Sequence, residues 1–281
     1  MIDRGALYRK LRLVAIYFFA LMLLVWTLFP IYWLAISSLK PTREIIGRIP
    51  TFWPGKIIFD HYAWILTNSA FMRSLLNSIY VSGGSTLITI FVSLLAGYAI
   101  GRQKMRGKMI MAQFVLFTYL IPLFMLFIPF YVLLSKLGIS NTTGSLFFVY
   151  PVLSIPYATW IFITYLKSIP RELEEAALLD GYSRFSIIMK IIIPVAAPGI
   201  VATAIYTFTR VWNDYLMAFI LINSQKRFTV MLAIADLIIG DQVAWGKLFA
   251  ASMIASVPVT VMYFVAAKQI TAGLTAGAVK Q

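Results

Sequence analysis

Six stretches of this chain are each long enough to cross a bilayer and carry almost no charge, which leaves few folds open. They are Leu13–Leu39, Ser74–Gly101, Met109–Ser135, Leu137–Leu166, Ile191–Asn223 and Leu248–Ala267. A hydrocarbon core of about 30 Å takes roughly 20 helical residues at a rise of ~1.5 Å each. Most of the runs exceed that, so each includes interfacial residues or a tilted helix. The fifth is interrupted by Arg210 and Asp214. Only 12% of the 281 residues are charged and 61% are hydrophobic, too little charge to cover a soluble domain of this size. The expected fold is an all-α polytopic membrane protein with six transmembrane helices in a single domain, residues 1–281.

Orientation follows from Lys and Arg in the short connections. Arg4, Arg9, Lys10 and Arg12 precede the first run, and Arg102, Lys104, Arg106 and Lys108 join the second to the third. Lys167, Arg171, Arg184 and Lys190 lie between the fourth and fifth. On the other side stand only Lys136, Lys226 and Arg227, besides a long first loop that counts for little in this rule. Both termini are expected in the cytoplasm. The net charge of +14 therefore belongs to membrane flanks facing anionic headgroups, and no compact basic face remains for nucleic acid. The first run is too long for a signal peptide and no small-x-small site follows it, so it reads as an uncleaved span.

Several chemistries lack their residues. Cysteine is absent, which removes disulfides, thiolate nucleophiles and sulfur-ligated metals. His61 is the one histidine and sits in a loop without a ligand cluster. The segment Gly101–Lys108 superficially resembles a phosphate-binding loop, but has five residues between its glycines and Met109 where Ser or Thr is required. ATP and magnesium therefore have no site in this chain.

The polar segment before the fifth run, residues 168–194, is different in kind. Ser168 or Ile169 can cap a helix with Pro170 at its first position, where a missing N–H is harmless. Glu172, Glu174 and Glu175 then sit at the positive helix end, and Leu173, Ala176 and Ala177 form a narrow apolar face. Gly181 can supply a left-handed stop, and Ser183 can cap a second helix climbing into the fifth run past Pro194 and Pro198. An acidic helix with an alanine pair, lying across the chain's direction on the cytoplasmic side, is either a docking surface for another protein or an ordinary acidic connecting helix.

In the fifth run, Arg210 and Asp214 stand one turn apart. They either neutralise one another or line a watery path together with Trp212 and Asn213, where sugar hydroxyls and ring faces would find partners.

The run Glu175-Ala176-Ala177-x-x-x-Gly181, followed after nine residues by Ile191-x-Ile193-Pro194, resembles the EAA loop of bacterial ABC importer permeases. The family pattern has Leu where this chain has Ile193, which keeps an aliphatic side chain. Trp212-Asn213-Asp214-Tyr215-Leu216, Ser37-Ser-Leu-Lys-Pro41 and the C-terminal Gly273–Lys280 are similar to the carbohydrate-uptake branch, in particular the smaller permease of maltose-type systems. The resemblance implies a six-span permease whose coupling-helix loop is 168–194. It implies a second homologous permease, two ATP-binding subunits that hold ATP and magnesium, and an extracytoplasmic solute-binding protein delivering sugar. Carried over to this sequence, Glu175 would meet a basic group on the ATPase, Ala176 and Ala177 would lie against its groove, and Gly181 would make the turn. Ile191 and Pro194 would complete the motif, and the C-terminal tail would reach the ATPase dimer interface. The expected place is the cytoplasmic (inner) membrane, and the chain is expected to be a transport subunit rather than an enzyme. The competing reading is a secondary transporter or channel acting without an ATPase, which would show internal halves and midplane ionisable groups, where this chain offers only Arg210 and Asp214 and no convincing repeat.

Overall fold

The computed structural model describes residues 4–239 and 242–278, and helix dominates it. In chain order the helices are α1 (Arg4–Ser38), α2 (Thr42–Ile45), α3 (Asp60–Thr67), α4 (Ser69–Arg102), α5 (Lys108–Tyr119), α6 (Phe127–Lys136) and α7 (Thr143–Lys167). They continue with α8 (Glu172–Leu179), α9 (Arg184–Ile187), α10 (Ile193–Val195), α11 (Ala197–Trp212), α12 (Leu216–Leu221), α13 (Val230–Ala235) and α14 (Trp245–Ala278). A short antiparallel ribbon precedes α14, with Ile238 opposite Val243. Among the described residues four helices are long and apolar enough to cross a membrane, and two bent pairs raise the number to six if each is one span.

Three of the expected runs end or bend where the backbone chemistry requires it. The third breaks by 88° between Tyr119 and Leu123. Pro122 there donates no hydrogen bond and disfavours helix at the residue before it. The fourth begins at Thr143 rather than Leu137, because Gly138 (φ 69°) and Asn141 (φ 53°) turn the chain left-handed. Thr142 then caps α7, its hydroxyl accepting from Ser145 N at 3.2 Å. The fifth is bent by 78° at Ala196, after a π-helical turn over Ile188–Ile192, and its long part stops at Trp212 instead of Asn223.

The chain divides into two compact units. The first, Met1–Asn68 with Asp236–Ser256, is tied together by polar contacts around Lys40, which is 2% exposed. Its ammonium lies 4.7 Å from the Trp33 ring centre and donates to the Thr51 carbonyl, while its own carbonyl lies 3.1 Å from His61 Nε2. A side chain at Gly246 would run into the His61 imidazole, so that close approach needs glycine. Glu44 accepts from the Thr51 hydroxyl at 2.5 Å, and this bond chiefly holds its carboxyl below the ordinary carboxylate range.

The second unit, Ser69–Ala235 with Val257–Gln281, is organised around α4, α7 and α11. One face of α4 carries Ser74, Ser78, Ser82, Ser85, Ser93, Gly97 and Gly101, all buried. Lipid gives apolar helices little reason to associate, so close backbone approach along small residues is what holds such a pair. A Cβ at Gly97 would stand 2.6 Å from Phe162 Cβ, and one at Gly101 3.6 Å from Ile163 Cα. Nearby, Leu94, Tyr98, Phe162, Leu166, Ile169, Ala177, Ile187 and Ile192 form one buried cluster that draws the loop helices α8 and α9 onto α4 and α7.

Candidate functional site

The loop 168–194 folds as two short helices around a left-handed glycine. Helix α8 starts at Glu172, two residues beyond the Pro170 start that the sequence favours, with Arg171 accepting from Glu174 N at 3.0 Å and Glu175 N at 3.1 Å. Gly181 has φ 85°. Its N–H donates to Leu178 O at 3.1 Å and the Tyr182 N–H to Ala177 O at 3.0 Å, so both free carbonyls are satisfied in the manner of a Schellman stop. Ser183 caps α9, accepting from Ser186 N at 3.2 Å.

This geometry sorts the motif residues. Glu175 and Ala176 are exposed, as are Leu178, Leu179 (89%), Tyr182 and Phe185. Ala177 departs from the expectation that both alanines face a partner: it is 4% exposed and packs with Leu166, Ile169 and Ile187. Successive helical residues point about 100° apart, so Ala176 and Ala177 cannot share one direction. Ile191 packs on the same buried cluster, and Pro194 is exposed within α10.

Residues that the sequence offered only as flanking charge or helix-end acid hold this loop in place. Arg102 Nε meets Glu174 Oε1 at 2.5 Å, and the Tyr98 hydroxyl donates to Glu174 Oε2 at 3.0 Å. The other guanidinium nitrogens donate to the carbonyls of Leu166 (3.1 Å), Ile169 (2.7 Å) and Pro170 (3.2 Å). These partners lie 64 or more residues from Arg102, beyond the reach of any periodic pattern.

The four polar candidates of the fifth run separate. Arg210 donates to Ser154 Oγ at 3.0 Å and borders a cavity of about 540 Å³ with Tyr119, Phe130 and Pro156. Tyr119 stacks on Tyr157, and Tyr206 lies tilted against it, with ring centres 5.0 and 4.4 Å apart and a 3.0 Å contact between the Tyr119 and Tyr206 hydroxyls. Trp212 is 1% exposed and stacked on Phe208, and Asn213 is exposed. Asp214 makes no ion pair with Arg210. Its Oδ1 accepts from Met217 N (3.0 Å), Ala218 N (3.3 Å) and the Tyr150 hydroxyl (3.0 Å), so it caps α12. Removing that cap in Asp214→Ala is expected to destabilise the protein by about 1 kcal/mol, and the buried Tyr150 hydroxyl left without an acceptor adds roughly 1–3 kcal/mol. Thermal unfolding of purified protein in detergent checks this: Asp214→Asn, which keeps an acceptor, should fall between wild type and Asp214→Ala.

Helices of membrane length, a capped loop pair with an exposed acidic and apolar face, and a cavity at the broken third span define a polytopic helical membrane protein. Residues 89–270 match the family described as the binding-protein-dependent transport system inner membrane component, and the chain belongs to that family. It is 32% identical, over 97% of its length and 98% of the relative's, to the inner membrane ABC transporter permease protein YcjP of Escherichia coli. It is 31% identical to the trehalose/maltose transport system permease protein MalG of Thermococcus litoralis, over 93% of this chain and 94% of that one. Its fold is shared with a bacterial ABC transporter that imports the acidic polysaccharide alginate, with a TM-score of 0.77 at 21% identity, covering 95% of this chain and 98% of the other. The protein is a membrane transport component of a binding-protein-dependent system, not an enzyme.

Proposed function

We propose that this chain forms half of the translocation pathway of an ATP-driven sugar importer. It pairs with a second, homologous permease, docks on two ATP-binding subunits through α8, and receives sugar from an extracytoplasmic binding protein. Both termini and the loop 168–194 lie in the cytoplasm, in keeping with the Lys and Arg distribution. The observation that carries the reading is the loop face: Glu175, Ala176, Leu179 and Phe185 are exposed around a stop at Gly181 that closes the carbonyls of Ala177 and Leu178. Glu175 would pair with a cation on the ATPase, and the apolar side chains would fill its groove. Helix α14 runs to Ala278, and Val279 and Lys280 of the C-terminal motif lie outside the described residues.

The pathway segment is the cavity beside Arg210. Guanidinium donors suit sugar hydroxyls, and the Tyr119, Tyr157 and Tyr206 rings suit the apolar ring faces. Trp212 and Asp214 support this wall from behind rather than lining it.

Purified permease should co-isolate with an ATPase subunit whose hydrolysis rises when sugar-loaded binding protein is added. Accumulation of solute in vesicles by this chain alone would overturn the proposal in favour of an autonomous transporter. Arg210→Met is expected to lower sugar uptake about tenfold, the scale of losing a charged hydrogen bond, while the complex still assembles. Uptake at the wild-type rate would remove Arg210 from the path.

A further inference from the structure

The covalent route from the docking helix to the pathway is broken. Between α8 and α11 lie the left-handed Gly181, the π turn at Ile188–Ile192 and the 78° bend at Ala196. A push on α8 that travelled along the backbone would have to change direction at these joints. A second route runs through buried side chains. It begins at Glu174, which points inward from the same helix that exposes Glu175, with its side chain 15% exposed against 3% for its partner Arg102.

We propose that Arg102 is a positioning residue for coupling, fastening α8 to the adjoining ends of α4 and α7 so that a displaced docking helix moves those two helices as one block. This rests on the docking role proposed above for α8. Arg102 ends α4, and the carbonyls of Leu166, Ile169 and Pro170 that it holds belong to the end of α7 and the strap leading to α8. A helix C-terminus leaves its last carbonyls unpaired, and a planar guanidinium with five donors is suited to collect several of them while pairing a carboxylate. Lysine could not replace that fork. Burial keeps the Glu174 contact from being screened, and Tyr98, one turn before Arg102 on the same helix, occupies the second carboxylate oxygen. Above the clamp, Gly97 and Gly101 let α4 and α7 touch backbone to side chain, so the two helices have little room to slide. Arg210 bonds Ser154 of α7, which connects this block to the cavity wall.

The test uses the complete transporter in proteoliposomes and reads sugar moved per ATP hydrolysed. Loss of folding or assembly lowers transport and hydrolysis together, whereas a slack linkage lowers their ratio. Arg102→Gln is expected to lower the ratio about tenfold and Glu174→Gln roughly threefold to tenfold, since each removes a charge-assisted bond. The double variant should be no worse than Arg102→Gln, because both act through one contact. Arg102→Lys should rescue the ratio only in part, and Arg106→Gln, at an exposed position in the loop between α4 and α5, should match wild type. If Arg102→Gln does not assemble, Glu174→Gln and Tyr98→Phe decide, and both must lower the ratio. A wild-type ratio in the assembled variants overturns the clamp. If wild type itself shows no binding-protein-stimulated hydrolysis, it is the docking reading that fails.

Discussion

Replacing Gly181 by proline is expected to abolish ATP-driven uptake while the chain still reaches the membrane. The position has φ 85°, and proline is held near about −65°. The same substitution deletes the N–H that donates to Leu178 O, and reorients the following residue, whose N–H closes on Ala177 O. With the stop lost, α8 and α9 cannot fold back, and the exposed face of Glu175, Ala176, Leu179 and Phe185 is no longer presented as one surface. The effect should follow backbone preference and not side-chain size, since no atom lies within 4 Å of a Cβ built there. Gly181→Asn, a residue that visits the left-handed region, should retain most uptake; Gly181→Ala, strained by about 1–2 kcal/mol, should retain less. Uptake assays with membrane-fraction blots check the series. Full uptake in Gly181→Pro would mean that the turn does not present a docking surface.

Gly97→Leu is expected to prevent assembly of a stable protein, and Gly97→Ala to lower its thermal midpoint clearly. A Cβ at this site would lie 2.6 Å from Phe162 Cβ and 3.3 Å from Ile163 N, within a pair of helices that depends on close approach. Neither neighbour can swing away, because one atom is fixed to the α7 backbone and the other is part of it. Overpacking of this kind costs about 1–3 kcal/mol for a single methyl group and more for a branched side chain. Gly83→Ala, on the same helix with nothing within 4 Å, is the matched control and should be neutral or slightly stabilising, as Ala is preferred to Gly by up to about 1 kcal/mol in a helix. Equal midpoints for the two alanine variants would show that α4 and α7 are not held by this contact.

The class of protein was written in the chain. Uncharged runs of bilayer length admit helices with internally satisfied backbone, and the Glu175–Gly181 motif with its left-handed stop and Ser183 cap depends on neighbours a few residues apart. Such local chemistry reads directly from residue order. The breaks were less legible: the uncharged run Met109–Ser135 conceals the bend at Pro122, and residue order did not show that the fifth would end at Trp212 and leave Asp214 to cap α12. Only the tertiary structure decided which acidic residue of α8 faces inward. Glu174 and Glu175 are the same residue type in the same first turn, and the partner that holds Glu174 inward is Arg102, 72 residues earlier in the chain. The same holds for the tyrosines gathered beside Arg210 from three helices. Local order sets propensity and periodicity, whereas which side chains meet depends on how buried helices pack, and that is settled by contacts summed across the whole bundle.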